Sequence, residues 1–338
     1  MKRLATAFAI AMLFAFGAQS AWSQTLKAVK DRGQLICGAN GTLAGFGLPD
    51  PQGNWTGFDV DFCRAIAAAI FNDPTKVKFV PLTAANRFTA LQSGEIDVLA
   101  RNTTWTMSRD TTLGVDFAAV NYYDGQGFMV HKSLKVSSAL ELGGASVCVQ
   151  QGTTTELNLA DYFRSHHMDL KTVTFATADE AVKAYDTGRC DSYTTDSSAL
   201  YGERLRLASP NDNIVLPEII SKEPLSPAVR QGDDTWEDLV RWVHHAMLDA
   251  EEFGVSKSNV DEQLKSPNPE IRRLLGVEGQ FGQGIGLTND WAYRVIKHIG
   301  NYGESFDRNV GLGSPLKIAR GINALWTKGG LQYGLPIR

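Results

Sequence analysis

One short pattern occurs twice in this chain and limits what it can fold into more than any other feature. Ala90-Leu-Gln-Ser-Gly-Glu-Ile-Asp97 is echoed by Ala184-Tyr-Asp-Thr-Gly-Arg-Cys-Asp191, both reading A-[LY]-x-[ST]-G-x-x-D. In each copy a helix runs into a small polar residue and then a glycine, the residue that most easily takes the left-handed conformation that stops a helix. A short buried strand follows. Each copy leads into a cluster of hydroxyls: Thr103, Thr104 and Thr106 in the first half, and Thr194, Thr195, Ser197 and Ser198 in the second. Two related α/β units, each with polar side chains at the carboxyl end of a strand, predict two lobes facing one another across a cleft. Open α/β sheets bind their ligands there.

The periodicity around the repeat agrees. Strands are predicted over 34–37, 76–80 and 96–99, and helices over 58–71 and 87–92, with Phe58, Phe62, Ile66 and Ile70 on one helical face. The second half repeats the plan, with strands over 147–149, 173–175 and 191–194 and helices over 156–163 and 179–186. Alternating units of this length predict a largely parallel sheet with helices on both faces. Residues 225–230 read as a further strand and 234–253 as a long helix. Beyond it, residues 257–338 read as an ordered extension packed on one lobe, with helices over 290–298 and 316–326.

Met1-Lys2-Arg3, an apolar run from Leu4 to Phe16 broken only by Thr6, and small residues up to Ser23 have the layout of a secretory signal peptide, cleaved near Ser23 or at Ser20. The run is shorter than the ~20 residues a membrane span needs. Without Lys2 and Arg3 the chain carries 31 basic and 37 acidic residues, a balance that speaks against nucleic acid. Four cysteines on an exported chain read as disulfides rather than a metal site, and their spacings fit no zinc pattern. Of three pairings, two would tie the halves of the chain together. The expected pairing is Cys37 with Cys63 and Cys148 with Cys190.

Catalytic signatures are missing: the chain has no P-loop, HExxH, GxSxG or GxGxxG. His166-His167 and His244-His245 are adjacent pairs whose side chains diverge on a helix, and a solvated surface position is expected for both. What the chain does carry suits a zwitterion, whose two charges each need a partner once water is lost. Arg109, after Thr104-Trp105-Thr106, has the planar fork that takes a carboxylate through two parallel bonds. The amides of Thr153 and Thr154, after Gly152, open a helix and favour an anion. Asp196, after Thr194-Thr195, is placed to accept an ammonium.

Taken together, Gly57-Phe-Asp-Val-Asp-Phe-Cys63, Leu91-Gln-Ser-Gly-Glu-Ile-Asp-Val98, Thr104-Trp-Thr-Met-Ser-Arg109, Gln151-Gly-Thr-Thr-Thr155 and Gly188-Arg-Cys-Asp191 through Asp196 resemble the periplasmic polar amino acid-binding proteins of ABC importers. The tail with Gly300-Asn-Tyr-Gly-Glu-Ser-Phe306 is similar to the broad-specificity general L-amino acid subgroup. The resemblance implies an α/β, type II periplasmic binding fold with a two-strand hinge crossed near Tyr123-Asp124 and near Lys222-Glu223. Residues 24–123 and 224–338 would form one lobe and residues 124–223 the other. It implies a free L-amino acid held between closing lobes, an inner-membrane permease as partner, a monomer, and no cofactor, metal or catalytic residue. Arg109 would clamp the α-carboxylate, helped by Thr104 and the amide of Thr154. Asp196 would bind the ammonium with the carbonyl near Asn102, and Phe46 is the candidate for an aromatic over the ligand. Arg101-Asn102 departs from smaller relatives, and Arg87 either reaches a ligand side chain or takes a surface role, the second at least as strongly expected. The rival is a cyclohexadienyl dehydratase-like enzyme on the same fold, which needs a second carboxylate or a histidine inside the site.

Overall fold

The computed structural model describes residues 25–338, so the leader and its cleavage site lie outside the described residues. Two five-stranded sheets dominate it. In the first, strand Leu35–Ala39 lies between Val77–Pro81 and Val98–Leu99 and is parallel to both. Ala228–Arg230 then runs antiparallel between Val98–Leu99 and Val115–Phe117. The second sheet is built alike: Ser146–Gln150 lies between Lys171–Phe175 and Ser192–Asp196, parallel to both, and Gln126–His131 runs antiparallel between Ser192–Asp196 and Asn213–Val215. In each sheet the odd strand is the one the chain forms immediately after crossing from the other lobe. The crossings pair with each other as a separate two-stranded ribbon, Tyr122–Asp124 against Glu223–Leu225. This is the type II periplasmic binding fold.

The repeat explains why the two sheets match. Gly94 and Gly188 both hold positive φ, +79° and +77°, where a side chain would be strained. The aspartates that follow do the same work. Asp97 Oδ2 accepts from Ile36 N at 2.7 Å while Asp97 N donates to Ile36 O at 2.8 Å. Asp191 Oδ2 accepts from Ser146 N at 2.7 Å while Asp191 N donates to Ser146 O at 2.9 Å. Each carboxylate thus pins the register of the strand beside it. The expected cysteine pairs are both formed, Cys37–Cys63 tying the first strand to helix Phe58–Phe71 and Cys148–Cys190 tying Ser146–Gln150 to the second repeat.

Several expectations need correction. Residues 225–230 are not one strand: Ser226-Pro227 divides the hinge strand from Ala228–Arg230, because proline has no N–H for a ladder. Residues 316–326 form no α-helix; Lys317 and Gly321 take positive φ and only short 3-10 turns occur there. The helix is instead Tyr302–Asn309, opened by a capping box between Asn301 and Glu304. His244 and His245 are buried in helix Asp234–Glu252, whereas His166 and His167 are exposed as expected. The extension does pack on the first lobe: Trp291, Val295, Ile296, Phe306 and Val310 join the core around Phe58, Ile66, Val240 and Val243. It also braces the hinge, since the Asn323 side chain accepts from Tyr123 N at 2.7 Å and donates to Tyr123 O at 2.9 Å.

Candidate ligand-binding site

The carboxyl ends of the parallel strands and the helix starts that follow them enclose a cavity of about 30 Å³. Its wall takes Asn40, Arg87, Arg101, Asn102 and Thr104 from the first lobe and Thr153, Thr154, Tyr193, Asp196 and Glu203 from the second. A wider hollow of about 920 Å³ lies elsewhere, around Trp55, Arg64 and Arg308. It is open to solvent, and its Arg308 and Asp61 already pair at 2.5 Å. The small cavity is the one that has a buried charged side chain with an unpartnered nitrogen among the described residues.

Arg87 is 3% exposed, and its Nε has no hydrogen-bond partner. Its one side-chain hydrogen bond is a long one, 3.5 Å from Nη1 to Thr103 Oγ1. Burial, and then the neighbouring Arg101 and Arg109, depress its pKa well below the arginine range. Arg101 is pushed down to about 10, chiefly by burial, and donates from Nε to Leu82 O at 2.8 Å. Across the cavity Asp196, 5% exposed, meets Asn102 Nδ2 at 3.5 Å. Burial, then Asp124 and Glu223, raise its pKa well above the carboxylate range. A cationic wall from one lobe therefore faces an anionic one from the other across the cavity, and burial costs each more than the opposite wall returns at that separation.

Asn102 is held by its surroundings in an uncommon left-handed backbone, φ +32°. Its N–H donates to Asp59 Oδ2 at 2.8 Å and its Oδ1 accepts from Asn40 Nδ2 at 2.9 Å. Thr153 caps helix Thr154–Ser165, whose first-turn amides have no intrahelical acceptor. Arg109 stands behind the wall rather than in it, donating from Nη1 to Thr104 O at 2.9 Å. Its guanidinium stacks on the Phe88 ring at 5.3 Å, and Arg87 stacks on the same ring at 5.1 Å. Phe46 is not brought to the cavity. It is 1% exposed and packs edge-on against Phe58 and Tyr122, because its loop closes over the first lobe's core. The aromatic in the wall is Tyr193.

One residue decides the state of the threonines, and the sequence reading missed its part. Glu223, 1% exposed on the hinge strand, accepts from Thr104 Oγ1 at 2.6 Å, Thr154 Oγ1 at 2.8 Å, Asn158 Nδ2 at 2.7 Å and Ser221 Oγ at 2.6 Å. The two threonine hydroxyl protons are therefore committed to the protein's own carboxylate.

The model of the bacterial extracellular solute-binding proteins, family 3, matches residues 35–258. The chain belongs to that family. It is 61% identical to the general L-amino acid-binding periplasmic protein AapJ of Rhizobium johnstonii, over all of this chain and 99% of the relative. It is 56% identical to the glutamate/glutamine/aspartate/asparagine-binding protein BztA of Rhodobacter capsulatus, over 98% of each. A solved ABC transporter periplasmic binding protein from Brucella ovis with glutathione bound superposes with a TM-score of 0.92 at 62% identity, covering 94% of this chain and 100% of that one. In this family-3 chain Glu203 is a second carboxylate in the wall, the feature expected of an enzyme rather than a binder. Burial raises its pKa to about 7, but Arg206 Nη1 holds one of its oxygens at 2.8 Å, and the relatives named here are binding proteins.

Proposed function

We propose that the protein is the periplasmic solute-binding component of an amino acid ABC importer, holding the head of a free L-amino acid between two lobes and presenting the closed form to a membrane permease. Residues 24–123 with 224–338 make one lobe and 124–223 the other, as the sheets and the hinge ribbon suggest. The observation that carries this reading is a pair of buried, opposite groups facing one cavity with no direct ion pair between them, Arg87 on one lobe, its Nε without a hydrogen-bond partner, and Asp196 on the other. An α-carboxylate goes to the guanidinium side, to Arg87 and the amides at Thr153 and Thr154, with Arg109 backing that side through Thr104 O. An α-ammonium goes to Asp196 and Asn102. Hydrogen-bonded counter-charges remove the cost of burying these groups.

The relatives' names span acidic, amide and general amino acids, and the glutamyl end of glutathione carries the same free head group. Broad selection at the head with tolerance for the rest fits all of them. Closure from a mostly open ensemble to a mostly closed one needs roughly 5.5 kcal/mol of preference for the closed form. A micromolar ligand, about −8 kcal/mol, supplies it. Calorimetry with glutamate, glutamine, leucine and glutathione tests the reading. Binding of several, released chemically unchanged, is expected; binding of none, or conversion of a bound ligand, overturns it.

A further inference from the structure

Glu223 does something that a head-group site does not require. Its carboxylate is fully buried at the hinge, and its donors come from both sides of the cleft: Thr104 from the first lobe, Thr154 and Asn158 from the second, and Ser221 from the returning crossing. Among the described residues nothing else in the cleft gathers so many short contacts from both lobes. The remaining direct bridges are a 3.4 Å approach of the Thr104 and Thr154 hydroxyls, the 3.5 Å contact of Asn102 with Asp196, and Arg206 Nη1 on Thr42 O at 3.1 Å.

We propose that Glu223 is a built-in latch, an internal carboxylate that collects hydroxyl and amide donors from both lobes and so stabilises closure independently of the ligand's side chain. The inference rests on the two-lobed binding reading above. Glu223 sits at the lobe boundary, and its strand is tied to the first lobe by Trp105 N donating to Pro224 O at 2.8 Å. Asn158 and Thr154 ride on helix Thr154–Ser165 of the second lobe, so their hydrogen bonds to this buried charge, which are the strong kind, join the two lobes. Opening strips the carboxylate of two of its four partners. Affinity scales with the fraction of protein able to close, so a latch that raises that fraction tightens every ligand by one common factor. It relieves the side chain of the ligand from supplying closure energy, which is what a broad-specificity receptor needs. Glu223 is a positioning residue in this account; it need not touch the ligand.

Two variants test it, Glu223→Gln and Asn158→Ala, the second removing a donor from a half-buried helix face if the hinge variant does not fold. Ligand-free proteins are compared by small-angle scattering, and affinities for glutamate, glutamine and leucine by calorimetry. Both variants are expected to be more extended than the wild type without ligand and equally compact when saturated. The three affinities are expected to fall together, roughly tenfold for Asn158→Ala and up to about a hundredfold for Glu223→Gln. Unchanged compaction, unchanged or tighter binding, or losses that differ with the ligand's side chain would overturn the latch. A wild type that binds none of the three overturns the proposed function instead, and the compaction comparison still judges the latch.

Discussion

In the first lobe the repeated aspartate, Asp97, is 4% exposed and lies beneath Trp236 of the long helix, whose Nε1 donates to Asp97 O at 3.0 Å; in the second lobe its counterpart Asp191 is at the surface. The backbone bracket around the two is the same. What differs is the cover. The extension and helix Asp234–Glu252 bury one face of the first sheet in a large cluster, while the second lobe rests on two smaller ones, around Tyr185 and Phe163. The lobes also bring opposite charge to the cleft, guanidiniums from the first and Asp196 from the second. A shared local motif thus sets up one frame twice, and the residues outside it decide how deeply each copy is buried and what charge it brings to the cleft.

The charge asymmetry can be broken most sharply at its negative pole. Asp196→Ala is expected to weaken amino acid binding by about a hundred- to thousandfold by calorimetry, since losing one partner of a buried charge pair costs roughly 3–4 kcal/mol. Little change would mean that the poles do not share a ligand. The same residue has a pH signature. Its folded pKa is raised by burial, so the cost of the buried charge is present above that pKa and relieved as pH falls through it. Lowering the pH through that raised pKa should raise the melting temperature of the free protein, a trend shared with Asp59, Asp124, Glu203 and Asp249, whose carboxyls burial also raises, while it weakens affinity for amino acids through Asp196.

Removing the cross-links sharpens the comparison of the lobes as folding units. The loops they close differ by sequence separations of 26 and 42 residues. Chain entropy then gives about 3.5 kcal/mol for the Cys37–Cys63 bridge and about 4 kcal/mol for Cys148–Cys190. Denaturant titration of the two double Cys→Ala variants should find the second lobe the more damaged, because its core is smaller. Closure can be blocked without touching charge. Gly202 faces Ala44 O across the cleft, and a Cβ there would sit 2.9 Å from it. Gly202→Val should lower affinity at least about tenfold with an unchanged melting temperature, since the helix tolerates a side chain and the closed interface does not. The smallest effects are expected at the repeat itself. Asp97→Asn should cost about 1–2 kcal/mol of stability and Asp191→Asn within about 0.5 kcal/mol, because Asp97 is buried and also pairs with Arg32 whereas Asp191 is exposed and takes only the Ser146 hydroxyl besides its backbone bonds. Equal costs would show that the extension does not set the first lobe apart.

The frame was legible in the sequence because it rests on local signals. Helices Phe58–Phe71 and Arg87–Gln92 begin and end where periodicity places them. The cysteine pairs formed as the two-halves argument required. The failures share a cause. His244 and His245 read as surface because nothing local says that the extension covers them, and residues 316–326 read as a helix because their apolar spacing outweighed Gly321. The capping box at Asn301 and Glu304 was the signal that marked the true helix.

The site divides along the same line. Composition and motif order determined a charged, hydroxyl-rich cleft between two alike α/β units, since strand ends and helix starts collect these residues through backbone geometry. Only the tertiary structure decided that Arg87 lines the cavity while Arg109 stands behind it, that Phe46 belongs to the core, and that Glu223 takes the threonine protons. Those outcomes depend on how separate segments come together, as when Thr104 meets Glu223, 119 residues further along the chain. Such meetings are set by how two lobes and a hinge pack, and no local stretch of chain carries them.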